Sequence, residues 1–197
     1  DNGIAAREAA VYSKECGVKL IITDHHEVPY EIVNGEKNYI FPDADVIIDP
    51  KQPGCEYPFK ELCGAGVAWK LICALGVDEE ILIQTLQLAA FATIGDIVSL
   101  QGENRILAKK GLELINKLKT VSEYYDSYSE YEEMDFVDDY ESESYDIVKN
   151  AQKSAAILGL NALINVTGYT DKNIGAFEVG FILGPCINAA GRLDDAM

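Results

Sequence analysis

Two short runs of β-branched residues, each stopping dead on an aspartate, limit what this chain can fold into. The first is "VKLIITD", residues 18–24, and the second is "DADVIIDP", residues 43–50. Runs this short and this apolar fit strands covered on both faces rather than half-wet alternating strands. The segment before the first run, "GIAAREAAVYSKECG", mixes Ala5, Ala9, Val11 and Tyr12 with charged residues and closes on Gly17. That is the pattern of an amphipathic helix with a glycine cap. Helix, strand, then a second strand after a crossover predicts an α/β fold with a parallel sheet and flanking helices. The intervening "EIVNGEKNYIF" reads as a small excursion or a loop.

After the turn-rich "KQPGCEYPFKEL" the texture changes. "GAGVAWKLICALG", "EEILIQTLQLAAFATIGDIV" and "GENRILAKKGLELINKL" read as helices, so a helix-rich half follows the sheet. Residues 120–148 hold eleven acids, no Lys or Arg, and six of the eleven tyrosines. They lack an apolar period and are expected to form an acidic, disordered insertion. Helical texture resumes at "AAILGLNALINVTG". The last segment, "NIGAFEVGFILGPCINAAGRL", reads as an apolar helix running into a glycine-bracketed turn that holds Arg192. The expected organisation is therefore 1–119, an α/β core entering a helical region; 120–148, the insertion; and 149–197, the helical remainder. Asp1 in place of Met, and an ending without an obvious stop, fit a piece truncated at both ends.

With 48% apolar residues the chain has enough to build a core. No apolar run approaches the ~20 residues that cross a bilayer, so a soluble protein with no membrane partner is expected. Five scattered cysteines without a CxxC fit reduced thiols in the cytoplasm better than a disulfide framework or a zinc site. The net charge of −17 argues against nucleic acid at first sight. Without residues 120–148 it is −6, a mild excess that bound divalent cations would offset in part.

Chemistry concentrates at "TDHHEVP". His25 and His26 are the two histidines of the chain, side by side where a buried strand meets solvent. Ligands of open α/β sheets bind beyond the carboxyl ends of strands. Both imidazoles can enter one site there because the strand alternation has ended, and neutral imidazole binds first-row divalent cations well. Two surface histidines in a loop remain the alternative. Asp1, before the Asn2-Gly3 turn, stands where a preceding strand would end, or else caps a helix. Asp96 sits in the apolar "ATIGDIV", where an ionised carboxylate needs either a partner or a route to water past Gly95.

The series "DNG … TDHH … DPKQPGCEYPFKELCGAGVAWKL … ATIGDIVSLQGENRILAKKGL … GPCINAAGRL" resembles the RecJ single-strand-specific exonucleases of the DHH phosphoesterase superfamily. The likeness covers nearly the whole chain outside the acidic stretch. It implies a DHH domain holding two Mn²⁺ or Mg²⁺ ions, with Asp1, His25 and Asp96 as metal ligands. His26 would ligate metal or touch the scissile phosphate, and Asp24 would orient the imidazoles. Asn188 and Arg192 would face the substrate, Arg192 on a phosphate; a salt bridge from Arg192 to Asp194 or Asp195 is the alternative. The implied activity is 5′-to-3′ hydrolysis of single-stranded DNA in repair and recombination. A monomer is implied, working with a single-strand-binding protein or a helicase. The family's upstream Asp-x-Asp and its C-terminal DHHA1 domain are not in this sequence, so the piece alone is expected to be a weak nuclease. Within the superfamily, a phosphodiesterase for short oligonucleotides or cyclic dinucleotides is the second reading. A scaffold without catalysis is the third.

Overall fold

The computed structural model describes residues 2–128 and 155–193, with side chains at 2–117 and 158–189. The two β-branched runs do pair. Strand β1 (Ile21–Thr23) lies parallel to β4 (Val46–Ile48), in the register Ile21↔Val46, Ile22↔Ile47, Thr23↔Ile48. The sequence between them is a hairpin of β2 (Tyr30–Val33) and β3 (Glu36–Tyr39). Its turn, Asn34-Gly35, has φ of 54° and 85°, the two positive values that fit the right-handed twist of paired strands.

Before β1, a 3₁₀ turn (Gly3–Ala5) leads into helix α1 (Arg7–Glu15), whose cap position is Ala6. Gly3 is required sterically, since a Cβ there would come within 2.6 Å of Ile22 Cγ2. The turn thus lies flat on β1. Gly17, at φ 69°, ends the helix as its position after Cys16 predicts.

Helices α2 (Gly64–Ala74), α3 (Glu79–Gly95) and α4 (Gly102–Tyr128) follow. α2 is capped by Cys63, whose Sγ accepts from the Gly66 N–H at 3.4 Å and meets Thr93 Oγ1 at 3.3 Å. α3 and α4 cross closely at Gly111, where an added Cβ would overlap that of Ala90. α4 carries helix through 120–128, the start of the expected insertion; residues 129–148 lie outside the described residues.

The final segments are α5 (Ala155–Val166), α6 (Ala176–Glu178), a π-helical turn (Val179–Leu183) and α7 (Gly184–Leu193). Arg192 therefore stands in a helix and not in the glycine-bracketed turn expected from the sequence. Pro185 lies inside a continuous helical run from Ala176 to Leu193, directly after the π-helical turn in which the Gly184 N–H reaches back to Val179 O; a residue with no N–H to donate is accommodated at such a widened turn, and Gly191 is carried through.

The main core is helical and wholly apolar: Ile94, Ala108, Ile115, Leu160, Ile164, Ile174, Val179 and Leu183. Asn116 secures it by accepting from the Ile174 N–H at 2.8 Å and donating to Ile174 O at 2.7 Å. A second cluster, Leu62, Val67 and Leu107, joins α2 and α4 to Ile48 of β4 and so ties helices to sheet. Beside it, Glu103 of α4 receives the Tyr57 hydroxyl at 2.9 Å and the Lys70 ammonium at 2.6 Å. The buried Asn104 amide donates to Glu61 O at 2.5 Å and Ser99 O at 3.0 Å. These bonds set the loop that carries the chain from β4 to α2.

Candidate metal centre

Asp24 follows β1 directly and has no solvent exposure. Its N–H donates to Ile48 O, so the two parallel strands stay in register to their ends. Asp24 Oδ2 accepts from the Ile4 N–H at 2.7 Å. Oδ1 accepts from the His25 N–H at 2.7 Å and the His26 N–H at 3.2 Å, and meets His26 Nδ1 at 2.7 Å. Burial alone would raise this carboxyl's pKa. The hydrogen bonds from Ile4, from the His26 ring and from the two histidine N–H groups outweigh it and pull the pKa down to about 2.

An anionic Asp24 with both oxygens engaged is an orienting group rather than an open ligand. It fixes the proton of His26 on Nδ1 and leaves the Nε2 lone pair outward, as carboxylate-backed histidine ligands require. His26 is half exposed, and its ring lies 4.3 Å from that of His25, centroid to centroid. His25 is buried. Burial, and then the neighbouring His26, push its pKa below the ordinary histidine range, so the imidazole is held neutral with a lone pair to offer.

His25 Nε2 stands 3.6 Å from Asp96 Oδ2. Asp96 is the C-cap residue of α3, and its side chain reaches solvent. It is therefore not buried in an apolar stretch; it follows Gly95 at the helix end, reaches solvent and meets the buried imidazole. A carboxylate at a helix C-terminus opposes the helix dipole. The next residue, Ile97, has φ 57°, a conformation that β-branched residues avoid. Two unfavourable choices at one helix end place one carboxylate beside His25.

Asp96 also opens onto a cavity of ≈ 360 Å³. Gly64 and Ala65 of α2, Phe91 and Ala92 of α3, and Ile187 and Asn188 of α7 line it. The structure thus brings Asn188 into the same cleft as Asp96. Arg192 lies four residues beyond Asn188 in α7, and its side chain is outside the described residues. Asp1 is outside them too, three residues before Ile4, whose N–H binds Asp24.

Asp49 is the residue that the sequence reading passed over as a strand terminator. It follows β4 as Asp24 follows β1, so the register sets the two carboxylates side by side at the sheet end. It is 3% exposed; Oδ1 accepts from the Lys51 N–H at 2.8 Å, while Oδ2 has no hydrogen-bond partner among the described residues. Burial raises its pKa, and the charge of Asp24 adds to the rise. The signal available in the sequence was the repetition itself: two short apolar runs, each followed by Asp.

The residues fit a divalent cation. Donor atoms of His25 and His26 lie within 4.8 Å of each other and of the Asp24 carboxylate that orients them, and Asp96 adds an exposed oxygen 3.6 Å from His25. Neighbouring donors on one octahedral cation stand about 3 Å apart, from bonds of roughly 2.1 Å. Mixed imidazole and carboxylate donors suit Mn²⁺, with Mg²⁺ served by the oxygens. The orphaned oxygen of Asp49 is a further sign of missing positive charge nearby.

Residues 1–94 match the DHH family, N-terminal domain. Along its whole length the chain is 37% identical to the single-stranded-DNA-specific exonuclease RecJ of Bacillus subtilis, of which it covers 19%. It is 30% identical to the RecJ of Salmonella typhimurium over 99% of the chain and 28% of that protein. A crystal structure of exonuclease RecJ bound to manganese superimposes with a TM-score of 0.58 at 29% identity, covering 97% of this chain and 37% of the other. The chain thus spans less than a third of the length of the curated relatives it matches. Among the described residues, no helix is long and apolar enough to cross a membrane.

Proposed function

We propose that this chain, whose residues 1–94 match the DHH family, N-terminal domain, carries part of the catalytic centre of a metal-dependent exonuclease acting on single-stranded DNA from the 5′ end. The observation that carries this reading is the meeting of His25 Nε2 and Asp96 Oδ2 at 3.6 Å, one from the end of β1 and one from the end of α3. A structural ion pair would not place a neutral, buried imidazole there beside a second, carboxylate-oriented histidine.

His25, His26 and Asp96, with Asp1, would hold the Mn²⁺ or Mg²⁺. When bound, such ions supply Lewis acidity at the phosphate and acidify a bound water. The chain's own residues do the rest. Asp24 keeps the His26 proton on Nδ1 and its Nε2 lone pair outward. Phe91 and Ile187 give the cleft beside Asp96 an apolar wall. Asn188 orients the phosphate, and Arg192 grips it through paired donors. Water adds to phosphorus, the P–O3′ bond breaks, and the 3′ oxygen leaves with a proton. The product is a 5′-mononucleotide, and the strand shortens by one.

The whole protein is read as a cytoplasmic monomer serving DNA repair and recombination, with a single-strand-binding protein or a helicase delivering its substrate. The test uses the full-length protein with Mn²⁺ and a labelled single-stranded oligonucleotide. Processive release of 5′-mononucleotides, lost in His25→Ala and Asp96→Asn, is expected. Cleavage of dinucleotides alone would move the assignment to a short-oligonucleotide phosphodiesterase. No hydrolysis in any divalent metal would replace it with a scaffold.

A further inference from the structure

The β2–β3 hairpin has two chemically different faces. Antiparallel partners share a face, and the register pairs Tyr30 with Tyr39 and Ile32 with Lys37. Those four residues form one face. Glu31, Asn38, Val33 and Glu36 form the other, by the same register. All eight are exposed, with Tyr30 at 46%, Ile32 at 62% and Tyr39 at 37%. Both acids of the hairpin strands fall on one side, in a chain of net charge −17. The opposite side is free of acids, with two tyrosines, an aliphatic residue and a lysine.

The face is ordered by its own contacts. The tyrosine rings meet edge to face at 5.9 Å, and Lys37 Nζ rests 4.1 Å from the centre of the Tyr30 ring. The Ile40 N–H donates to Pro29 O at 2.7 Å and closes the base, while the buried Val28 anchors it. Tyr30 follows His26 by four residues, so their Cα atoms are no more than about 14 Å apart. An isolated hairpin is marginally stable, and a cross-strand aromatic pair adds only a modest amount to it. Aromatic faces flanked by a cation are, however, what unpaired bases stack on.

We propose that the Tyr30–Ile32–Lys37–Tyr39 face is a stacking platform for single-stranded DNA on its way to the metal centre. Bases lie on the tyrosine rings, and Lys37 turns from the Tyr30 ring to a phosphate. Acids confined to the far face keep the strand on this one. The platform rests on the exonuclease reading and adds to it a substrate-binding surface outside the cleft.

The test is single-strand affinity of the full-length protein, measured without divalent metal by fluorescence anisotropy on an oligothymidylate. Tyr30→Ala with Tyr39→Ala is expected to weaken binding at least roughly fivefold, the lower end of one lost stacking contact. The double Tyr→Phe variant keeps the rings and keeps the affinity. Lys37→Ala lowers the salt slope by about one phosphate's worth, whereas Glu31→Ala with Glu36→Ala, on the far face, does not reduce affinity. Melting temperatures report folding in each case. An unchanged affinity in the alanine pair overturns the platform while leaving the exonuclease reading in place, provided that the wild type degrades the strand. Unchanged affinity with a lowered melting temperature means that the face packs against another part of the protein. Loss of a protein partner with DNA binding intact assigns it to that partner. A wild type that neither binds nor degrades single strands removes both readings.

Discussion

The carboxyl ends of β1 and β4 and the interface between α3, α4 and α5 are built on opposite principles. The helical interface buries Ile94, Ile115, Leu160 and Ile164 and gains from every apolar contact. The strand ends bury Asp24, His25 and Asp49, each of which loses hydration on folding. Asp24 recovers that loss through hydrogen bonds; among the described residues Asp49 Oδ2 does not. A few steps away, Asp96 and Ile97 occupy backbone and dipole positions that disfavour them. One region makes the domain stable, and the other, held up by it, concentrates unfavourable choices around a small volume. Such a distribution is expected when a site is selected for a ligand rather than for the stability of the empty fold.

The contrast can be broken most forcefully at Asp24. Asp24→Ala strips the acceptor from three N–H groups and an imidazole, and a loss of about 3–5 kcal/mol in urea unfolding is expected. Mn²⁺ should then fail to raise the melting temperature of whatever remains folded. Ile164→Ala, in the helical core, should cost about 2–5 kcal/mol. There the Mn²⁺ response should survive, since nothing at the strand ends has changed. If both variants lose the response, the two regions are not separable.

Acid sharpens the comparison. Asp24 has a folded pKa of about 2, below the unfolded value, so its contribution is complete above about pH 4. It is lost as pH falls through 2, by about 2–3 kcal/mol in all. Unfolding followed from pH 5 to pH 1.5 should show this limb, and Asp24→Asn should flatten it. A limb of equal depth in the variant would assign the acid sensitivity to other carboxylates.

The smallest effect is expected at Ile97. Ile97→Gly relieves a left-handed β-branched residue and should stabilise the chain by about 1 kcal/mol, a rise of roughly 2–4 °C. The freed helix end should hold Asp96 less firmly and weaken the Mn²⁺ response. A gain in stability with an undiminished response would show that the strain at Ile97 has no part in positioning Asp96.

Much of this was legible in the sequence because it is local. The β-branched runs fixed β1 and β4, Gly17 marked the end of α1, and "TDHH" marked the strand end. What required coordinates was pairing. Asp49 became a neighbour of Asp24 only through the parallel register, and a strand terminator looks the same whether or not another lies beside it. For Asp96 the sequence left open a partner or a route to water past Gly95, and the helix end supplies both, turning the side chain to solvent and to within 3.6 Å of His25. Gly184 and Gly191 suggested a turn around Arg192, but the π-helical turn at Val179–Leu183 absorbs Pro185 and the helix runs on through Leu193. Asn34-Gly35 carried a clear hairpin signal; the flanking strands were hidden because both faces are exposed and lack an apolar alternation.

The most direct test of the account is the position of manganese in crystals of the Mn²⁺-loaded full-length protein, located by its anomalous scattering. A peak within direct bonding distance of both His25 Nε2 and an Asp96 carboxylate oxygen, roughly 2.0–2.4 Å, is the predicted result. Manganese bound elsewhere, with His25 and Asp96 still facing each other and no ion between them, would contradict it.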